Sequence, residues 1–257
     1  MEQNSEFTPV GSKHEQAFLE GPHSRWRDLF FAFDVFKEFL HGFRKFSFVG
    51  PCVTVFGSAR FKEDHPYYEI ARNLSREIVK LGFSVITGGG PGIMEAANRG
   101  AKEGGGRSIG CNIVLPKEQK PNPYLDTWVD IDYMFVRKVI LMKYSYAFVV
   151  MPGGYGTLDE FFGAITLIET GKIKKFPVVM FGKMYHQELM KHVENMVAQQ
   201  TISPDDARLF LLTDSIPEAI NHLKKYAVEG FGLSKKEGLK PLGILGERKL
   251  PKKDDQN

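Results

Sequence analysis

Cysteine is scarce in this chain: Cys52 and Cys111 are the only two among 257 residues. Two thiols make no disulfide framework, and no zinc-ligand spacing can be built from them. Both fall in apolar, strand-like runs, so they are expected to be buried structural thiols in a reducing compartment. Long hydrophobic runs are missing as well. No stretch approaches the ~18 apolar residues of a membrane-spanning helix, and the polar, acidic residues 1–11 lack the features of a secretory leader. The protein is therefore expected in the cytoplasm, with no membrane partner. Surplus charge is equally scarce. The formal charge is +3, and residues 234–257 alone hold seven Lys or Arg against four acids, which accounts for all of it. Nucleic-acid binders cluster positive charge on a folded face, whereas here the excess lies in a tail, so no nucleic-acid partner is expected.

Glycine, by contrast, is abundant at 26 residues, and it concentrates between short apolar runs. The order of those runs predicts the fold. Residues 24–46 carry Trp26, Leu29, Phe33, Phe36, Leu40 and Phe43 at alternating spacings of three and four, with Phe30 widening the stripe. This is one face of an amphipathic helix, expected to pack on the body of the protein or on a second subunit. Strands are then predicted at 52–56, 83–87, 108–115, 128–131, 147–151, 177–181 and 209–213. Helices are predicted at 66–81, 93–103, 134–144, 158–170, 187–200 and 217–226. Strands and helices in alternation, with strands that are continuously apolar, require a parallel sheet covered on both faces and joined by right-handed crossovers. The fold class is α/β: a doubly wound, mostly parallel, Rossmann-like sheet with helices on both faces, plus an extra N-terminal amphipathic helix. The chain divides into an extension over 1–48, one Rossmann-like domain over 49–230, and a basic, flexible tail over 231–257.

In such sheets ligands bind beyond the carboxyl ends of the strands, where loops enter helix N-termini. Four segments are expected at that edge: Gly57-Ser58-Ala59-Arg60, Gly88 to Gly92, the helix start holding Arg137, and Gly153 to Glu160. Glycines admit a ligand close to the backbone, and free amides at a helix start favour an anion such as phosphate. The first strand does not lead into GxGxxG, the second ends without an acidic residue for a ribose, and no GxxxxGK[ST] loop exists. A mononucleotide or sugar phosphate fits better than a dinucleotide or a nucleoside triphosphate. Glu160 has two readings. Thr157-Leu158-Asp159-Glu160 has capping-box spacing, which would make Glu160 purely structural. Beside two glycine loops and Arg137, the same carboxylate could stabilise an oxocarbenium ion or activate water. Arg137 is likewise either a surface ion-pair residue or part of the site.

The run Pro152-Gly153-Gly154-Tyr155-Gly156-Thr157-Leu158-Asp159-Glu160 resembles the PGGxGTxxE signature of the Lonely Guy (LOG) family. The stretch GGGPGIMEAANRGA over 88–101, and Met134 with Arg137 and Lys138, also fit its pattern. The resemblance spans about residues 50–228. It implies a Rossmann-like fold and hydrolysis of the N-glycosidic bond of a nucleoside 5′-monophosphate, such as AMP or an N6-modified AMP, to free base and ribose 5-phosphate. It further implies Arg137 and Glu160 as the catalytic pair. Gly153, Gly154, Gly156 and Thr157 would hold the phosphate, with Ser58, Gly89, Met134 and Lys138 nearby. The family resemblance also implies a homodimer or larger homo-oligomer. No cofactor and no metal are expected. Many bacterial members of the family carry a lysine decarboxylase label, yet no lysine here sits in a recognisable pyridoxal phosphate setting. The chain departs from the short plant-type pattern in its Gly57-Ser58-Ala59-Arg60 loop, its N-terminal helix and its basic tail, which bear on substrate choice and assembly. The alternative is a non-catalytic carrier of a nucleotide or a molybdopterin-type cofactor on the same fold, since fold does not fix function.

Overall fold

Along β1 (Cys52–Phe56) every residue is buried, which a strand achieves only when both faces of its sheet are covered. Successive side chains point to opposite faces. Cys52 and Phe56 enter one apolar layer, and Val53 and Val55 enter the other. A computed structural model describes residues 15, 19–21, 24–114, 120–174 and 176–230 of the chain. Its elements are α1 (Arg25–Phe46), β1, α2 (Pro66–Lys80), β2 (Ser84–Thr87), α3 (Ile93–Glu103), β3 (Ser108–Ile113) and β4 (Thr127–Ile131). They continue with α4 (Met134–Tyr144), β5 (Ser145–Val150), α5 (Tyr155–Glu169), β6 (Val178–Phe181), α6 (Gln187–Ala198), β7 (Leu211–Thr213) and α7 (Ile216–Leu223). A π-helical turn, Lys224–Glu229, extends α7.

The seven strands form one sheet in the order β4-β3-β2-β1-β5-β6-β7, with every pairing parallel. Helices α2, α3 and α7 bury Tyr68, Leu74, Ile78, Ile93, Ala97 and Leu223 on one face. Helices α1, α4 and α5 bury Phe46, Val136, Ile140, Phe161 and Ile168 on the other. The doubly wound architecture is therefore as expected, and the predicted elements recur with boundaries shifted by a few residues. The order reverses between β1 and β5, so their following loops part in opposite directions and leave a crevice at the carboxyl edge. That switch point is where such sheets bind ligands.

The N-terminal stripe behaves differently from its expectation. Helix α1 does pack on the body, but through Phe31, Val35, Phe39, Phe43 and Phe46. Trp26, Leu29, Phe30, Phe33 and Phe36 remain between 45% and 71% exposed. The helix carries two apolar faces, and the stripe read from the spacing is split between them: Phe43 packs on the body and Leu40 is half-buried, whereas Trp26, Leu29, Phe33 and Phe36 face away from the core. The contact with the body is specific. Glu38 accepts hydrogen bonds from the backbone N–H of Asp132 (2.7 Å) and Tyr133 (3.4 Å), immediately before α4. Its carboxylate thus satisfies amides at the start of α4 that the helix itself leaves unpaired. Desolvation on burial pushes the Glu38 pKa up, against the lowering effect of those two amides. The polar residues that precede Glu15 and the basic residues 231–257 lie outside the described residues.

Candidate active site

The first strand's loop is tied directly to the glycine-rich turn across the switch point. Ser58 N–H donates to Pro152 O at 3.0 Å, and Ile93 N–H donates to Ser58 O at 3.0 Å. Gly92 makes the second contact possible. Its φ is +70°, and a Cβ there would lie 2.4 Å from Ser58 O, so both backbone conformation and space demand glycine. Around this junction an open cleft of about 640 Å³ is lined by Phe56 to Phe61, Met94, Met134, Arg137, Gly153 to Thr157, Glu160 and Tyr185.

The turn is built to leave amides free. Helix α5 starts at Tyr155 with Gly154 as its N-cap, and no side chain caps it. Gly154 O accepts from the N–H groups of Thr157 (3.0 Å) and Leu158 (3.1 Å). The amides of the first helical positions have no intrahelical acceptor, and the helix dipole adds positive potential beside them. An anion entering the cleft meets them directly. Tyr185, from the loop after β6, donates its hydroxyl to Gly153 O at 2.9 Å and holds the turn from the far side.

This geometry overturns the capping-box reading of Thr157 and Glu160. A box would need Thr157 as N-cap and Glu160 three residues on. The helix begins two residues before Thr157, so Glu160 lies a turn and a half inside it, on the stripe shared by Thr157, Phe161, Ala164 and Ile168. Glu160 is only 5% exposed, and its Oε2 has no hydrogen-bond partner. A carboxylate in this position is costly to ionise. Burial raises its pKa above the usual 4.5, opposed by the positive charges of Lys138 and Arg137 and aided by Asp159.

Arg137 reaches the cleft from the first turn and a half of α4. Its Nε donates to Cys111 O at 2.9 Å, at the carboxyl end of β3. Gly88 gives it room: a Cβ on Gly88 would stand 2.2 Å from Arg137 Nη2. Lys138 turns elsewhere. Its Nζ pairs with Asp159 Oδ2 at 2.6 Å and donates to Asp159 O at 3.2 Å, outside the cleft lining.

Eight of the ten expected site residues therefore line one cleft: Ser58, Met134, Arg137, Gly153, Gly154, Gly156, Thr157 and Glu160. Gly89 and Lys138 do not. Gly89 belongs to a buried network that fixes the second glycine loop. Its N–H donates to Thr87 Oγ1 (2.9 Å), and Thr87 Oγ1 donates to Asn98 Oδ1 (2.6 Å). Asn122 Nδ2 donates to Asn98 Oδ1 (2.9 Å) and to the carbonyls of Gly89 and Gly90 (3.1 Å each). The stretch over 88–101 is thus chiefly scaffold, whose contribution to the cleft is the space at Gly88 and the side chain of Met94. Arg60 and Tyr155 lie in segments expected at this edge without having been named as site residues, and sequence reasoning passed over Phe61, Met94 and Tyr185 as lining residues. The carboxyl-edge rule would have flagged the loop after β6, but nothing in the residue types there singled out Tyr185. Cys52 and Cys111 are buried and free. Desolvation pushes both thiols up to about 12, which suits a structural role. Among the described residues no His, Cys, Asp and Glu group is placed to hold a metal ion, and no helix is long and apolar enough to cross a membrane.

Residues 94–223 match the family model described as "Possible lysine decarboxylase", about half of the chain. The protein belongs to this family, the LOG family. Its relatives include cytokinin riboside 5′-monophosphate phosphoribohydrolase LOG3 of Arabidopsis thaliana, 28% identical over 66% of this chain and 80% of that protein. The enzyme LOG of Oryza sativa subsp. japonica is also 28% identical, over 67% of this chain and 72% of its own. Among solved structures, the molybdenum cofactor binding protein of Rippkaea orientalis superposes with a TM-score of 0.52 at 23% identity. That match covers 68% of this chain and 96% of the other, and it establishes the shared fold. For a LOG-family chain the matched region contains both Arg137 and Glu160, whereas the loop with Ser58 and Arg60 lies before it.

Proposed function

We propose that this protein hydrolyses the N-glycosidic bond of a nucleoside 5′-monophosphate, AMP or an N6-modified AMP, releasing free base and ribose 5-phosphate. The observation that carries this reading is Glu160, a desolvated carboxylate with an unpartnered oxygen in the same cleft as the open amides of α5. A structural glutamate would have found a partner or stayed at the surface. In the proposed reaction the 5′-phosphate rests on the Gly153–Thr157 turn, which sets C1′ of the ribose near Glu160. As the bond to the base breaks, positive charge develops on the sugar ring, and the Glu160 carboxylate stabilises it in a site where solvent screens little. The same carboxylate takes a proton as water adds at C1′ and passes it to the base, which leaves with the electron pair of the broken bond, so that free base forms and the carboxylate is restored. Arg137, held by Cys111 O and the space at Gly88, supplies a fixed positive charge for the departing base or the sugar hydroxyls.

The named relatives of this chain are phosphoribohydrolases, which supports the reaction class. Incubating the purified protein with a panel of nucleoside monophosphates and measuring released base is the direct test. Release from monophosphates, far faster than from the corresponding nucleosides, is the expected result. Tight nucleotide binding with no base released from any of them would move the function to the carrier alternative.

The proposal extends to assembly in the cytoplasm as a homo-oligomer. The exposed residues Trp26, Leu29, Phe33 and Phe36 follow spacings of three and four, the pattern of a knobs-into-holes seam. A two-fold axis through such a face would bury the same patch on both copies. Large side chains of this kind carry ~150–250 Å² each, so pairing two α1 faces would bury roughly 1,000 Å² in total, at the threshold for a specific interface.

A further inference from the structure

Two cationic side chains line the cleft, Arg60 and Arg137, against one acidic one, Glu160. The two arginines are held very differently. Arg137 is partly buried, fixed through Nε to Cys111 O, and confined against Gly88. Arg60 is exposed, and it takes part in no ion pair among the described residues. Only its backbone is constrained, with N–H donating to Ser58 Oγ at 3.1 Å. That turn belongs to the loop whose Ser58 N–H is bonded to Pro152 O, and the Cβ position of Gly153 is 3.0 Å from Ser58 N. Arg60 thus stands two residues from the contact that joins the loop to the glycine-rich turn, with its side chain in the same cleft as the open amides.

We infer that Arg60 is the specificity-determining residue for a phosphate monoester, closing over the anion seated on the first turn of α5. This rests on the proposed reading of the cleft and goes beyond it by naming the side chain that separates phosphorylated from unphosphorylated ligands. Backbone amides favour any anion, whereas a guanidinium binds two phosphate oxygens in a planar fork and neutralises charge that amides cannot. A phosphate monoester dianion has oxygens left over after the amides are engaged, and Arg60 meets them from the solvent side. An unpaired exposed arginine is free to close without first breaking an ion pair. Glu160, buried in the same cleft with an unpartnered Oε2, repels a second anionic group. The substrate is thereby oriented with its phosphate toward Arg60 and its glycosidic carbon toward Glu160.

The test pairs a binding measurement with turnover. Ribose 5-phosphate is titrated calorimetrically into the parent, Arg60→Ala and Arg60→Lys, and base release from AMP and adenosine is measured on the same three proteins. Arg60→Ala should weaken ribose 5-phosphate binding about 10- to 100-fold and reduce the selectivity for AMP over adenosine by a similar factor. Arg60→Lys, which keeps the charge without the fork, should restore part of both losses. Arg60→Ala that binds ribose 5-phosphate as the parent does overturns the assignment, as does a parent that does not bind it. If the parent binds ribose 5-phosphate through Arg60 yet releases base from no nucleotide, the assignment stands and the hydrolytic reading falls.

Discussion

At the scale of single residues, the chemistry turns on where two side chains are held. Glu160 is an acid on the core-facing stripe of α5, and its ionisation opposes folding. The folded state, with a raised pKa, holds this proton more tightly than the unfolded chain. The penalty is therefore absent below the ordinary value of 4.5, grows as pH rises from there toward the folded pKa, and is constant above it. Glu160→Gln should accordingly be more stable than the parent at pH 7 by about 1 kcal/mol, read by chemical denaturation, with the gain lost near pH 4. Its kcat should fall ~100-fold or more, read by base release. A well-folded, fully active Glu160→Gln protein would sink the mechanism. For the parent, the acid limb of kcat/KM should lie above 4.5, since the active form carries the ionised carboxylate. Gly88 tests the other partner. Alanine there would place a methyl 2.2 Å from Arg137 Nη2 and 2.7 Å from Met94 Sδ. Gly88→Ala should lower kcat/KM about 10-fold or more by displacing Arg137, while costing only ~1–3 kcal/mol of stability in chemical denaturation.

Among the elements, the glycine loop after β2 and the helix α3 act as one piece. Asn98 is fully buried and links Thr87, Asn122 and Ile109 O, the last through its Nδ2 at 3.2 Å. Removing it leaves several buried polar groups unpaired at once. Asn98→Ala should cost about 2–4 kcal/mol, read calorimetrically as a Tm drop of roughly 5–10 °C. An unchanged Tm would mean that the loop is held by its backbone alone. The helix α5 contrasts with α2 and α7, which begin with a side-chain acceptor at His65 and Ser215. It begins with glycine and leaves its amides to the cleft, a local loss of stability at the point where a ligand would restore it.

For the whole molecule, α1 is both a brace and a surface. Through Glu38 it caps the start of α4, and so supports the helix that carries Arg137. Its outward face presents Trp26, Leu29, Phe30, Phe33 and Phe36, far from the cleft residues in sequence. The double substitution Phe30→Glu and Phe33→Glu should leave folding intact, because both positions are exposed, and should lower the mass measured by sedimentation equilibrium. An unchanged mass would show that α1 is not the contact between copies.

How much of this was legible in the sequence differs by kind of interaction. Alternation of apolar runs and glycine turns determined the strands, the helices and the doubly wound class, because those depend on periodicity and on local backbone freedom. The carboxyl-edge rule then assigns Ser58, Arg137, Gly153 and Glu160 to one side of the sheet from their positions in the sequence. Three matters were decided only by the tertiary structure. Whether Thr157 caps a helix depended on where α5 begins, and the helix starts at Tyr155 because Gly154 O accepts its first bonds. Which face of α1 is buried depended on the neighbouring α4 and on Glu38, since both faces of the helix are apolar. Gly89 went to the scaffold and Gly88 to the site because Arg137 and Asn112 approach the loop from different directions. Spacing along a chain states which residues share a face, but the partner that covers the face comes from a distant part of the sequence.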